Sequence, residues 1–293
     1  MDKKNISLSN GETLYYLDKG NHNNVLVLVH GNMSSSIHFS PIIDDLLQDY
    51  RLIIPDLRGF GDSSYNTHIN NLEDFGDDIF LLLDDLNVKE FSLLGWSTGG
   101  AITLKMAANR PKAVKKLVLL ESASYRGYPI FKKDKNGTPI VGEYYNTKKD
   151  LSQDPIQVLP MVNALIDNDK SPMVFVWDQF IYTVNKPSRD QADLFISETM
   201  KQRNLIDVDW ALTTFNMSDS SNGVITGDGS IKNITCPVLS IWSEKDIIIP
   251  EYMIDETVDA LKNVQKVVLK DAGHNPLIDC PEKVILQIRK FIS

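Results

Sequence analysis

The sequence predicts an α/β protein: a mostly parallel central sheet flanked by helices, with a mainly helical cap inserted into it. Short apolar runs alternate with amphipathic segments of helix length. The runs are too continuous for strands with one wet face, which is typical of a buried parallel sheet. The alternation stops after about residue 124 and resumes near residue 237. This interruption predicts that the middle of the chain is an insertion.

The first part of the predicted sheet consists of four apolar runs, each ending in a turn rich in Gly, Pro or Ser. The runs are residues 25–29, 51–54, 91–94 and 116–120. Helices are predicted between them at 40–48, 72–86 and 98–109. In the second of these helices the apolar residues recur every three or four positions, as one buried face requires.

The alternation resumes with a strand at 237–243, a helix near 251–262, a strand at 266–270 and a closing helix at 281–292. Within the insertion, segments 155–167, 172–184 and 188–203 are predicted helices, with Pro172 and Pro187 near two of their starts. Residues 132–138 are predicted to form an exposed turn, because Asn-Gly favours positive φ. We therefore expect a core domain of residues 1–124 and 235–293 and a cap domain of residues 125–234, placed over the strand ends.

Composition narrows the functional classes. The 293 residues are 42% hydrophobic and 24% charged, which excludes a disordered, collagen-like or coiled-coil chain. The formal net charge of −9 argues against nucleic acid or an anionic membrane as a partner. No apolar stretch approaches the roughly 20 residues of a membrane span, and the first residues lack a signal-peptide core. A cytoplasmic location is expected, and the sequence is compatible with a homodimer.

The two cysteines, Cys236 and Cys280, are isolated and each precedes a proline. Two such thiols make neither a disulfide framework nor a zinc-ligand set. We expect both to be buried free thiols. The sequence gives no sign of a metal or a cofactor.

The strongest chemical signal is Gly95-Trp96-Ser97-Thr98-Gly99, which joins a strand-like run to a helix-like one. This is the context that a G-x-S-x-G nucleophile turn requires. The turn strains the serine backbone, and the flanking glycines avoid clashes of a Cβ with neighbouring strands. Ser97 is the predicted nucleophile, at a helix N-terminus where developing negative charge is favoured.

A serine hydroxyl needs a base, and the chain has five histidines. His22, His38 and His68 lie in polar sequence surroundings, and His30 opens the turn after the strand-like run 25–29. His274 follows the last strand-like run, so it is predicted at the same sheet edge as Ser97. His274 is the predicted base, and His30 is predicted to be a buried hydrogen-bonding residue.

The base needs a carboxylate to fix its tautomer. Asp246 follows the strand-like run 237–243, again at a carboxyl end, and is the predicted acid. Glu121 and Glu244 are rivals, and Glu121 is the stronger one because it ends another strand. The oxyanion hole is expected from two backbone N–H groups, those of Asn32 in the loop after the early strand and Thr98 after the nucleophile.

Together the motifs resemble those of the α/β-hydrolase-fold serine hydrolases. The matching stretches are HGN at 30–32, PDLRGFGDS at 55–63, GWSTGG at 95–100, SEKDIIIP at 243–250 and DAGHNP at 271–276. The resemblance covers nearly all of 1–124 and 235–293, but it does not cover the cap. It implies a triad of Ser97, Asp246 and His274 in the chain order of that family.

The resemblance implies a carboxylic ester hydrolase of the serine esterase type that works through an acyl-enzyme. Serine disfavours the epoxide hydrolases and haloalkane dehalogenases of the family, which use aspartate, and the loop lacks the HGxGPG form of carbon–carbon bond hydrolases. A small, partly apolar ester is the expected substrate.

Three alternatives stay open. The stretch HGNMSSS resembles the loop of lactonases that act on acyl-homoserine lactones, and GWSTGG resembles the nucleophile turn of cofactor-free haloperoxidases, which perform perhydrolysis. The third alternative is a non-catalytic receptor for a small hydrophobic ligand. The cap supplies aromatic and methionine side chains, some of which would line an apolar pocket while most form the cap core: Tyr144, Tyr145, Met161, Met173, Phe175, Trp177, Phe180, Tyr182, Phe195, Trp210 and Phe215.

Overall fold

The computed structural model describes residues 2–292, and its central feature is an eight-stranded sheet. The strands of this sheet are β1 (Lys4–Ser7), β2 (Thr13–Lys19), β3 (Val25–Val29), β4 (Arg51–Pro55), β5 (Phe91–Trp96), β6 (Val114–Leu120), β9 (Val238–Ser243) and β10 (Val264–Leu269). Their spatial order is β1-β2-β4-β3-β5-β6-β9-β10. The six strands from β4 to β10 are parallel to one another, whereas β2 pairs antiparallel with both β4 and β1. The predicted mostly parallel sheet is confirmed, and the two antiparallel strands lie outside the predicted elements.

Helices cover both faces of the sheet. They are α1 (Ser40–Leu46), α2 (Glu73–Asp85), α3 (Thr98–Asn109), α9 (Glu251–Ala260), α10 (Pro276–Asp279) and α11 (Pro281–Ile292). Successive side chains of a strand point to opposite faces. Accordingly, Val27 and Val29 of β3 pack with α2 and α3, whereas Leu26 and Leu28 pack with α1 and α11. Burial on both faces is why these strands read as continuous apolar runs.

A long inserted segment, residues 121–237, connects β6 to β9. It contains β7 (Phe131–Lys133), β8 (Pro139–Tyr144), α4 (Lys148–Leu151), α5 (Leu159–Ile166), α6 (Lys170–Val176), a π-helical turn (Trp177–Ile181), α7 (Arg189–Thr199) and α8 (Leu205–Thr213). The predicted exposed turn lies between β7 and β8, where Gly137 has a φ of 83°. The two strands around this turn and the helices α4 and α8 are elements that periodicity did not predict, because they are short or lack a clear apolar face.

The inserted segment packs against both layers of the core. Met161, Met173 and Phe195, from α5 to α7, share an apolar cluster with α1 and α11. Val208 and Leu212 of α8 share the other cluster with α3. Apolar burial in both clusters therefore fixes the segment to the rest of the chain. Within residues 2–292, no helix combines the length and the apolar character needed to cross a bilayer.

Gly99 shows how closely the chain packs at the turn from β5 to α3. A Cβ at Gly99 would collide with the carbonyl oxygens of Val29 and His30 at the end of β3, as expected from the sequence. Gly95 differs from the expectation, because its Cβ would meet the carbonyl of Gly99 and the hydroxyl of Thr103, both in α3. Gly99 thus allows the start of α3 to pack against the end of β3, and Gly95 allows α3 to begin close to β5.

We expect Gly99→Ala to lower the free energy of unfolding by about 3 kcal/mol, since the added methyl group meets backbone atoms that cannot move aside. Urea unfolding followed by tryptophan fluorescence measures this loss. Gly142→Ala is the matched control: its Cβ meets nothing within 4 Å, but its φ of 90° disfavours alanine, so about 1 kcal/mol is expected. Equal losses in the two variants would contradict the packing argument.

Candidate active site

The backbone around the carboxyl edge of the sheet is strained at three points. Only five non-glycine residues among residues 2–292 have positive φ, and three of them follow β3, β5 and β6: Met33 (52°), Ser97 (56°) and Glu121 (44°). Such conformations cost roughly 1–3 kcal/mol each and persist where the surrounding structure enforces them, often at functional sites. The strain predicted for the Ser97 turn is present.

Ser97, His274 and Asp246 form one chain of hydrogen bonds. The Oγ of Ser97 lies 3.1 Å from Nε2 of His274. The Nδ1 of His274 lies 2.8 Å from Oδ2 of Asp246. Because Asp246 accepts the proton on Nδ1, the neutral ring has Nε2 free to accept the serine proton. The structure therefore brings the three predicted residues together in the geometry of a nucleophile, a base and an orienting carboxylate.

Contacts from two directions hold the loop that carries His274. The indole Nε1 of Trp96, the residue before the nucleophile, donates to the carbonyl of His274 at 3.0 Å. The amide of Gly273 donates to Oδ2 of Asp279 in α10 at 2.8 Å. His274 is only 3% exposed. The loop position is therefore tied to the nucleophile strand as well as to α10.

The two rival acids lie side by side. Asp246 accepts hydrogen bonds from the amides of Ile248 and Ile249 on Oδ1, at 2.7 and 3.0 Å, in addition to the contact with His274. Glu121 is fully buried and accepts from the hydroxyl and the amide of Ser243, at 2.6 and 3.1 Å. The two carboxyl groups also share a hydrogen bond. Glu121 thus contacts Asp246, but only Asp246 hydrogen-bonds His274.

Electrostatics separates the roles of these two carboxyl groups. Burial first, and then the charge of Asp246, raises the pKa of Glu121 well above its ordinary value. Burial alone would raise the pKa of Asp246 as well, but the charge and hydrogen bond of His274 outweigh it, so that pKa is lowered. Adjacent carboxyl groups rarely ionise together. These opposite shifts favour a proton on Glu121 over one on Asp246.

The loop after β3 passes directly beside Ser97. An ideal Cβ on Gly31 would lie 3.0 Å from the Cβ of Ser97 and 3.5 Å from its Oγ, so a larger residue would crowd the serine. Asn32 follows in this loop, and Thr98 is the first residue of α3. In the described part of the chain, no hydrogen bond from the main-chain N–H of Asn32 or Thr98 to a protein acceptor is present. Both groups are available to a ligand oxygen.

His30 behaves as the sequence predicts. It is 0% exposed, lies 2.8 Å through Nδ1 from the carbonyl of Gly31, and accepts at Nε2 from the amide of Leu57 at 3.0 Å. Since Nε2 accepts, Nδ1 carries the proton and donates. Burial lowers the pKa of His30 to about 4, so the ring is neutral near pH 7. His30 joins the loop after β3 to the loop after β4 and does not hydrogen-bond Ser97.

His38 is buried, although its neighbours in the sequence are polar. It is 2% exposed and stacks between Trp177 and Phe195, with ring centroids 5.1 and 4.7 Å away. Residues 36–39 form a 3-10 turn whose four side chains are buried under the inserted segment. Tertiary packing by residues 177 and 195 overrides the local polarity.

We expect His38 to make folding less favourable in acid. Burial, followed by the charge of His30, lowers the pKa of His38 to about 3. An unfolded histidine titrates near pH 6.5, so between pH 6.5 and about 3 the unfolded chain binds one more proton. The unfolding free energy is thus largest above pH 6.5 and falls by about 1.4 kcal/mol per pH unit below it from this group.

His38→Asn measures the contribution of His38 to this pH dependence, because asparagine does not titrate. Asparagine can still accept a hydrogen bond from the Ser35 amide, which donates to His38 Nδ1 at 3.0 Å. Unfolding by urea at pH 7, 6 and 5 should give a shallower pH dependence for the variant than for the wild type. Identical slopes would mean that His38 is not held neutral. Comparing slopes rather than absolute values removes the cost of the smaller side chain.

Most of the aromatic and methionine side chains of the inserted segment form its packed core. Tyr145, Met161, Met173, Trp177, Tyr182, Phe195 and Phe215 are buried in apolar clusters. Phe175 and Phe180 are 60% and 40% exposed instead. The ring of Trp177 lies 6.4 Å from that of Trp96, which in turn lies 6.1 Å from His274. The inserted segment therefore reaches the immediate surroundings of the triad.

Polar contacts from the inserted segment to the loop after β3 escaped the sequence reasoning. Thr199, Gln202 and Asp209 hydrogen-bond Asn32 or Met33. Burial raises the pKa of Asp209 to about 7, against the hydrogen bond from Asn32. No motif marks these residues, because they lie more than 160 positions away from the loop in sequence.

One acidic cluster has a spacing that a metal ion could use. Within residues 2–292, the carboxylate oxygens that come close in this way belong to Asp56, Asp62 and Glu198, and they lie within 4.8 Å of one another. The ammonium group of Lys3 lies 2.7, 2.8 and 3.1 Å from these three side chains. Lysine supplies the positive charge, so the cluster acts as a partly buried ion-pair network, with Asp62 exposed, that links the N-terminal segment to α7. Both cysteines are buried free thiols, as predicted.

Comparisons with known proteins place this geometry in a family. Residues 24–281 match a family model described as the alpha/beta hydrolase fold. Lipase 1 of Psychrobacter immobilis is 25% identical, over all of this chain and 84% of its own length. The cis-3-alkyl-4-alkyloxetan-2-one decarboxylase of Shewanella oneidensis is 25% identical, over 99% of this chain and 88% of its own.

A solved structure agrees at the level of the fold. The esterase EaEST of Exiguobacterium antarcticum superposes with a TM-score of 0.74 at 22% identity, over 98% of both chains. The family match spans both parts of the sheet and the inserted segment between them. The chain belongs to the α/β hydrolase fold family.

Proposed function

We propose that the protein is a carboxylic ester hydrolase that uses Ser97 as nucleophile, His274 as base and Asp246 as orienting acid. The hydrogen-bonded chain from Ser97 through His274 to Asp246 carries this proposal. The lipase and esterase among its relatives support an ester as the substrate class. We further propose that residues 125–234 form a cap over the site and that residues 1–124 and 235–293 form the catalytic core.

In the first half of the reaction, Ser97 Oγ attacks the ester carbonyl while His274 Nε2 takes the hydroxyl proton. His274 then passes this proton to the leaving alkoxide, which departs as the alcohol and leaves an acyl-enzyme on Ser97. In the second half, a water molecule gives its proton to His274 and attacks the acyl carbon. The proton returns to Ser97 Oγ as the acid leaves, so the enzyme is regenerated.

The main-chain N–H groups of Asn32 and Thr98 are the proposed oxyanion hole. Both flank Ser97, one through the close approach of Gly31 and the other as the next residue in the chain. Thr98 is the first residue of α3, so the positive end of that helix dipole adds to its N–H group. Donors held ready for the oxyanion lower the barrier because they need no reorganisation during the reaction.

A cyclic ester is the second candidate substrate. The name of the Shewanella relative specifies an oxetan-2-one, which is a four-membered cyclic ester, and that relative matches nearly the whole of both chains. The same triad would open a lactone without losing a separate alcohol. Linear and cyclic esters therefore differ in what the cap must accommodate, while the chemistry at Ser97 is shared.

A fluorophosphonate probe and a substrate panel test the proposal. We expect stoichiometric labelling of Ser97, found by peptide mass spectrometry, and hydrolysis of short-chain nitrophenyl esters. A pH-stat comparison of kcat/KM for linear esters, lactones and amides then ranks the substrate classes. Absence of both labelling and turnover would contradict the enzyme and favour a ligand-binding role. Labelling with turnover only in the presence of hydrogen peroxide would favour perhydrolysis.

A further inference from the structure

The loop that carries Asn32 is fastened to the inserted segment by its side chains and by its main chain. The side-chain amide of Asn32 is hydrogen-bonded at both ends: Oδ1 accepts from the Met33 amide at 3.0 Å and from Gln202 Nε2 at 2.8 Å. Its Nδ2 donates to Oδ1 of Asp209 at 2.9 Å. Two residues of the inserted segment therefore determine the orientation of the Asn32 side chain.

Met33 is held by the same segment. Its amide donates to Oε1 of Gln202 at 3.1 Å, and its carbonyl accepts from Oγ1 of Thr199 at 2.6 Å. Met33 has a φ of 52°, a conformation that non-glycine residues rarely adopt. The partners that enforce this conformation lie at the end of α7 and in the connection to α8. Without them, the loop would be expected to relax toward a less strained backbone.

Gln202 is central to this network. It is 4% exposed, and its amide makes hydrogen bonds to Asn32, Met33 and Asn204. Asn204 is itself 2% exposed and donates to the carbonyl of Arg58 in the loop after β4. Through Asn204, Gln202 is therefore connected to the loop after β4, and this contact holds it in a fixed position against Asn32 and Met33. A buried amide with all its groups satisfied is a rigid support.

We propose that Gln202 and Thr199 are positioning residues through which the inserted segment sets the oxyanion hole. They hold residues 32 and 33 in the strained conformation that directs the Asn32 N–H toward the space beside Ser97. Neither residue contacts the nucleophile, so each acts on the transition state through the loop. This inference rests on the proposed ester hydrolysis, and it adds that the cap contributes to the rate as well as to substrate choice.

Gln202→Ala is the principal test. We expect kcat for a short nitrophenyl ester, normalised to fluorophosphonate-titrated sites, to fall about 100-fold, as when an oxyanion donor is lost or displaced. KM should change by less than about threefold, because the lost contact forms in the transition state. The affinity for phenylboronic acid, which forms a tetrahedral adduct with the serine, should fall in parallel with kcat.

Asn216→Ala is the matched control, since Asn216 is also a nearly buried amide of the inserted segment. It bonds Ser218, Ser220 and Ile225 and does not contact the loop after β3. The control should lose thermal stability but keep its normalised kcat and its phenylboronic acid affinity. A purely structural role for Gln202 would give the same pattern in Gln202→Ala, and that result would overturn the inference.

Thr199→Val provides a second test that keeps the side-chain shape and removes only the hydroxyl. We expect a loss of about tenfold in normalised kcat, with recovery in Thr199→Ser, which retains a donor to the Met33 carbonyl. If Gln202→Ala does not fold, an unchanged kcat in Thr199→Val overturns the inference. A wild-type protein that neither reacts with fluorophosphonate nor hydrolyses esters would instead contradict the proposed function itself.

Discussion

Ser97→Ala should lower kcat/KM for ester hydrolysis by roughly 10⁵-fold, the scale on which nucleophile removal acts in serine hydrolases. In the proposed reaction the hydroxyl forms the acyl bond, and Nε2 of His274, its proposed proton acceptor, lies 3.1 Å away. Fluorophosphonate labelling should disappear as well. The measurement is initial-rate kinetics on nitrophenyl esters with enzyme at micromolar concentration, so that a residual rate remains visible.

Ser92→Ala is the matched control for this prediction. Ser92 lies in the same strand, β5, near its opposite end, and it is also largely buried. Its removal should leave kcat/KM and labelling unchanged. A loss below tenfold in Ser97→Ala, or retained labelling, would exclude Ser97 as the nucleophile and would return the question to the ligand-binding alternative.

Replacing Ser97 by glycine instead of alanine should affect the stability of the fold as well as the activity. Ser97 has a φ of 56° and a ψ of −120°, which glycine adopts readily and other residues do not. Ser97→Gly should therefore be inactive yet about 1 kcal/mol more stable than Ser97→Ala in urea unfolding. Strain at Ser97 would then be a cost in stability that accompanies its proposed role in catalysis.

Asp246→Asn should reduce kcat by about 10³- to 10⁴-fold with a small change in KM. An amide can donate to Nδ1 of His274 and so favour the wrong tautomer, in which Nε2 carries the proton and cannot accept one from Ser97. It also removes the negative charge that stabilises the imidazolium formed during the reaction. The readout is kcat at pH 8 together with thermal unfolding, which establishes that the variant is folded.

Glu121→Gln is the control for the acid and also tests the protonation of the pair. Glutamine resembles a protonated carboxyl group: its NH₂ can donate to Asp246, and its oxygen can accept from Ser243. We therefore expect kcat within about threefold of the wild type. If Glu121→Gln loses activity and Asp246→Asn retains it, the roles of the two acids are exchanged.

Residues far apart in the chain could be assigned to one site from the sequence because of a rule of parallel sheets. Ser97, Asp246 and His274 each follow an apolar run, and the carboxyl ends of parallel strands lie at one edge. The order and type of these residues therefore predicted their meeting, and the distances of 2.8 and 3.1 Å agree with it. The sequence also favoured Asp246 over Glu121, and in the structure only Asp246 hydrogen-bonds His274.

Local sequence was a poor guide where tertiary contacts dominate. The stretch around His38 looks polar, yet the ring lies between Trp177 and Phe195. The antiparallel strands β1 and β2 and the hairpin of β7 and β8 also carry little periodic signal. The burial of His38 depends on the two aromatic rings that cover it, and these lie far away in the sequence.

The sequence by itself determined the parallel strands of the sheet, the turn at Ser97 and the chemical identity of the three residues of the hydrogen-bonded chain. Periodicity and strand-end motifs are local properties that each segment carries without its neighbours. Only the tertiary structure decided that the buried Glu121 lies beside Asp246 and that Gln202 and Thr199 contact the loop of Asn32. Those facts depend on distances between segments more than 100 residues apart, which folding sets through packing and which no single stretch of sequence encodes.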